Sequence, residues 1–195
     1  MLPKSPVFFD WTSIIYDFFS VNLYIVPFEY LLDKLLIWYH EVEPYRSDAS
    51  FTRVKVLKLL FFLSVIKQED NTDLLDVFDN FYAMQHGPVE SDIYNYMTSE
   101  KLDYFSFSDI YLERKREYSI NEMQLSNTLR LKLDGAIAAL RVANPKIISL
   151  SAFDLVEISH KWESWKHAMK LANLLGKYSY PISISLLREE MQIFR

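Results

Sequence analysis

His160, Glu163 and His167 are the side chains whose types and spacing come nearest to a metal site. On a continuous helix these steps put all three on one face. Imidazole and carboxylate ligands suit zinc or iron. A further ligand would come from elsewhere in the chain, with His86 the candidate. No HExxH-type or second-helix ligand pair accompanies them. A polar helix face carrying two ordinary histidines therefore accounts for the same pattern. Ser159 and His160 offer a nucleophile and a base side by side. Adjacent residues on a helix, however, point about 100° apart and do not face each other. With no Gly-x-Ser-x-Gly elbow, Walker lysine loop or GxGxxG, hydrolase and common nucleotide-binding chemistry is disfavoured.

Trp162 and Trp165 are three apart and share a helix face. Two readings stay open: packing in a core, or an interface anchor, since tryptophan is enriched among hot spots. His86-Gly87-Pro88-Val89 is a structural instruction. Glycine admits positive φ. Proline fixes a helix-like φ and lacks the N–H that a first helical residue would leave unpaired. The expectation is a tight turn launching a helix from Pro88.

The elements that would position these residues read as mainly α, with a minor short β-hairpin. Leu31, Leu32, Leu35, Leu36 and Tyr39 recur at helical spacing over 22–42, after an aromatic-rich helix over 7–20. Pro27 is either tolerated near the start of the longer helix or marks a break. Val54, Leu57, Phe61 and Val65, widened by Val56, Leu60 and Leu63, predict a central amphipathic helix over 50–67, with Lys55 and Lys58 toward solvent. Residues 73–84 are ambiguous between helix and extended chain. Pro88 to Met97 is expected as a helix with Val89, Ile93, Tyr94 and Met97 on one face. Alternation over 104–120, including Tyr118-Ser119-Ile120, predicts short strands. Helices follow over 125–142, from Ser151 to Leu175 with a Ser151/Asp154 capping box and a Gly176 stop, and over 185–194.

Composition sets the outer bounds. Of 195 residues, half are hydrophobic and 16% aromatic, which argues for a folded chain. Three glycines disfavour a turn-rich β-sandwich. No cysteine is present, which removes disulfides and Cys-ligated zinc. A formal charge of −5 argues against nucleic acid as the main partner and leaves Arg114-Lys115-Arg116 as a solvated turn or strand end. Prolines and aspartates near the N-terminus break a signal-peptide core, and the apolar runs fall well short of the ~20 residues of a membrane span. The expected setting is cytoplasmic, with no membrane partner.

Three segments, in order, resemble one known family. Thr52-Arg53-Val54-Lys55-Val56-Leu57-Lys58-Leu59-Leu60-Phe61-Phe62 is similar to the opening helix of the Panacea, or SocA-like, domain. Met84-Gln85-His86-Gly87-Pro88-Val89 through Tyr94 resembles its Gly-Pro-Val motif. Leu155 to His160, continued to Trp165, resembles its C-terminal Ser/Thr-His…Trp helix, with Ser164 standing where the family often has a proline. The likeness covers about residues 50–195. It implies residues 49–195 as the family's helical domain and residues 1–48 as an N-terminal helical extension, together one compact unit. It further implies an antitoxin-like protein-binding module that needs no cofactor, neutralises a cognate toxin by direct stoichiometric binding, and in some members acts as a proteolytic adaptor. His86, Gly87, Pro88, Val89, Tyr94, His160, Trp162 and Trp165 are then candidates for the partner surface or for the scaffold that holds it. The alternatives are a metal-dependent enzyme or factor using His86, His160, Glu163 and His167, and a regulatory protein of a phage or mobile element. A homo-oligomer is compatible with all of these.

Overall fold

The computed structural model describes the backbone of residues 11–108, 110–116 and 125–195, with side chains from residue 24 onward. Among these residues it is mainly α, with two small antiparallel sheets. Helix α1 (Trp11–Val42) contains Pro27 and ends before Pro44. From Trp11 onward the aromatic and leucine-rich segments thus form one helix rather than two, and residues 7–10 of the first expected helix lie outside the described residues. Its inner residues, Phe28, Leu31, Leu32, Leu35, Leu36 and Tyr39 among them, belong to the same buried cluster as the rest of the chain.

Helix α2 (Arg53–Val65) is capped by the Thr52 hydroxyl, which accepts the Lys55 N–H. From Lys55 to Val65 every residue of it is buried. Helices α1, α4 (Asn127–Ala143) and α5 (Ala152–Ser159) and strand β2 (Gly87–Glu90) pack around it. The sequence expectation of a central helix holds. The expectation of solvent-facing Lys55 and Lys58 does not: neighbours on all sides leave no wet face, and Val54 is the exposed residue instead. The Lys55 ammonium lies over the Tyr39 and Phe51 rings at 4.8 and 4.9 Å, where aromatic faces replace water.

The stretch around Pro88 also differs from expectation. Strand β1 (Phe81–Met84) pairs antiparallel with β2, Met84 facing Gly87, and the strand order is β2-β1-β5, with β5 at Tyr180–Pro181. Pro88 lies in strand, not at a helix start. An edge strand tolerates a residue without an N–H. Helix α3 (Ser91–Thr98) begins three residues later, where the buried Glu90 carboxylate accepts the Ile93 N–H at 2.6 Å as its cap.

Strands β3 (Phe105–Ser108) and β4 (Tyr111–Arg114) form the expected hairpin. Tyr118-Ser119-Ile120 lies outside the described residues. The hairpin is tied to α1 by Glu29, which accepts the Tyr104 N–H at 2.7 Å, and by the Asp33–Arg114 ion pair at 3.1 Å. The predicted helix from Ser151 begins as expected, with both halves of the capping box formed. It then breaks at His160-Lys161, and α6 (Glu163–Leu174) starts anew. Gly176, at φ +63°, closes α6 with the Gly176 and Lys177 N–H groups bonded back to Asn173 and Ala172. Helix α7 (Ile184–Glu189) is shorter than expected.

Candidate functional site

The β1–β2 hairpin turns at Gln85 and His86, both exposed. Gly87 follows at φ +89°, a conformation that L side chains rarely adopt. Space demands glycine there as well. A Cβ on residue 87 would stand 2.2 Å from the Ser159 hydroxyl and 3.2 Å from the Lys58 amine. The hairpin is therefore pressed onto the end of α5 and the middle of α2 with no room for a side chain between.

Lys58 completes the clamp. Its buried amine donates to the Pro88 carbonyl at 2.5 Å. Burial pulls the Lys58 pKa down to about 7. The bond does not depend on charge, because a neutral amine still donates. Ser159, also buried, turns its hydroxyl to the Val156 carbonyl at 2.8 Å. Neither group is left as a nucleophile on open surface. Val89 is buried and Tyr94 on α3 is half-exposed, so the two do not share the helix face expected of them.

The second wall of the site is built across the break between α5 and α6. The His160 ring stacks on Trp165, centroids 4.0 Å apart and planes 14° apart. The Trp165 indole N–H donates to the Met84 carbonyl at 3.0 Å and fixes the hairpin's end. The His160 Nε2 is buried and closes no well-formed hydrogen bond. Burial lowers the His160 pKa, with Glu157 and the Gln85 backbone opposing and Lys58 and His86 adding to the fall. Burial thus favours the neutral ring, which suits flat stacking on an indole. Trp162 takes the other role open to it. It is fully buried, edge-on to Phe61 at 5.0 Å and Phe194 at 6.0 Å, and its N–H donates to the Ile193 carbonyl.

The arrangement thus joins His86, Gly87, Pro88, His160 and Trp165 and keeps Trp162 and Tyr94 apart from them. It also separates the residues of the metal reading. The helix break puts His160 off the face that carries Glu163 and His167, and Glu163 pairs instead with Lys166 at 2.7 Å. Among the described residues no group of three His, Asp or Glu side chains stands ready to hold a metal ion. One contributor escaped the sequence reading, Lys58 as the hairpin's anchor, whereas Glu90, expected to favour the N-terminal end of the helix after Pro88, is the α3 cap. The signal for Lys58 was a lysine with apolar residues on every side of it, Val56, Leu57 and Leu59 to Leu63.

No described helix is long and apolar enough to cross a membrane. Comparison with curated proteins and with solved structures finds no match. The family model described as antitoxin SocA-like, Panacea domain matches residues 56–166, more than half of the chain, from the anchor helix α2 through the hairpin to Lys166 beyond Trp165. The clamp of Lys58, Gly87 and Ser159 and the His160–Trp165 stack fall inside that match, and the chain belongs to the SocA-like Panacea family of antitoxin-like domains.

Proposed function

We propose that the chain acts as an antitoxin-like binding module that neutralises a cognate toxin protein by direct stoichiometric contact. The observation that carries this reading is the rigid presentation of the Gln85–His86 tip. The tip is exposed, while Lys58, Gly87, Ser159 and Trp165 fix the strands behind it. A pre-organised surface loses little conformational entropy on binding. The half-buried Trp165 beside it adds an aromatic of the kind that anchors interfaces. The motif residues then divide into two groups. Gly87, Pro88, Val89, Ser159 and Trp162 are scaffold; Gln85, His86, His160 and Trp165 form or flank the contact face. No catalytic step is assigned, and the setting is cytoplasmic, beside the toxin.

The test is co-purification with the product of the adjacent gene, joined to rescue of growth in cells expressing that product. The expected result is a stable one-to-one complex and restored growth. Paired Gln85→Ala and His86→Ala substitutions, at exposed positions, should weaken the complex while leaving the circular dichroism spectrum unchanged. A neighbour that is neither toxic nor bound would count against the reading.

A further inference from the structure

We propose that the cleft between α6 and α7 is a receptor for a guanidinium group, an arginine side chain presented by the partner protein. The proposal rests on the reading of this chain as a binder of a protein partner.

The cleft, of about 500 Å³, is lined by Glu163, Ser164, His167, Leu186, Glu189 and Glu190. Helix α6 has no side-chain cap of its own, since Trp162 stands at the N-cap position. Glu190 supplies the missing acceptor from beyond α7: one carboxylate oxygen takes the Ser164 N–H at 3.1 Å. Its other oxygen is buried and has no hydrogen-bond partner. The Ser164 hydroxyl is in the same condition, in a residue only 4% exposed. Two polar groups without a partner, a carboxylate oxygen and a hydroxyl, therefore belong to residues that line one cleft.

A buried polar group left without a partner is costly, so each is expected to find one in some state of the protein. The charge around them selects that partner. Glu163, Glu189 and Glu190 contribute three carboxylates, and Lys166, paired with Glu163, answers one of them. The site thus favours a cation. A guanidinium presents several N–H donors in a planar fork, which matches adjacent oxygens better than the single point of an ammonium. Leu186, 43% exposed, offers an apolar wall for the arginine stem.

The probe is N-acetyl-argininamide, titrated into the full ¹⁵N-labelled chain while the Ser164, His167 and Glu190 amides are followed by NMR. The expected result is saturable shifts at these amides, several-fold weaker binding of N-acetyl-lysinamide, and none of N-acetyl-glutaminamide. Glu190→Gln keeps an acceptor for the α6 cap but removes the charge, and should weaken the probe at least tenfold. Ser164→Ala removes a hydroxyl with no partner to lose, leaves the fold intact, and should weaken it several-fold. Absence of saturable shifts, or equal binding by Glu190→Gln, would overturn the proposal and mean that Ser164 and Glu190 serve only each other. A toxin complex that forms equally well with Glu190→Gln, with the probe silent, removes the cleft and leaves the antitoxin reading. Binding of the probe with no partner co-purified supports the cleft and counts against that reading.

Discussion

Gly87 carries two demands at one position: a φ of +89° and contact with Ser159 and Lys58 where a Cβ would stand. Left-handed backbone costs an L residue roughly 1–2 kcal/mol, and overpacking adds about 1–3 kcal/mol. Gly87→Ala is therefore expected to lower unfolding free energy by roughly 2–5 kcal/mol in a urea titration. Buried ionisable groups give the molecule an unusual pH profile. Burial raises the Glu29 and Glu90 pKa values from 4.5 to about 7. The folded state then binds their protons more tightly, so their contribution is fully present below pH 4.5 and is lost as pH rises through 7. Lys58 is lowered from 10.5 to about 7. Between those values the unfolded chain binds more protons, so stability rises with pH across that window. These groups together predict a stability minimum near pH 7, read from urea midpoints. Lys58→Met should reduce the alkaline rise, leaving the share of Lys55, which burial lowers to about 8; a rise of unchanged slope in that variant would contradict the assignment.

At the scale of elements, the two tryptophans of the α5–α6 segment separate by role. Trp162 fills the core between Phe61 and Phe194, and Trp162→Ala should cost about 3–5 kcal/mol. Trp165 holds the hairpin's end through one hydrogen bond to Met84. Trp165→Phe should lower the unfolding free energy read from a urea titration by no more than about 1 kcal/mol, while speeding amide exchange at Gln85 and His86. Equal global losses in the two variants would show that the hairpin and the core are one cooperative unit. The break at His160-Lys161 is what makes the roles distinct, because it lets α6 leave the direction of α5 and bring Trp165 under β1.

Over the whole molecule, α1 is held to the rest by buried surface and by specific bonds. Tyr30 donates to Asp134 on α4 at 2.7 Å, Glu29 caps the start of β3, and the Arg141–Glu41 pair spans α4 and α1. Removal of residues 1–48 would expose the faces of α2 and α4 that α1 covers. The expected outcome is a fragment without a cooperative thermal transition. A sharp transition in that fragment would show that residues 49–195 fold as a domain by themselves.

The chain's local chemistry announced several elements before any fold was known. Ser151 with Asp154 marked the start of α5, Gly176 the end of α6, and the alternation from Phe105 the β3–β4 hairpin, because caps, stops and period-two patterns act within a few residues. Each of the three motifs was also local, and their order along the chain carried the family. Tertiary structure alone decided the rest. Pro88 lies in an edge strand paired with Ala83, and its carbonyl is held there by Lys58, thirty positions away in sequence. The buried Lys58, the broken helix at His160 and the Ser164–Glu190 cleft share that origin. Burial and hydrogen-bond partnership depend on what packs against a residue, and in a chain of this topology those neighbours come from distant segments, so no window of sequence contains them.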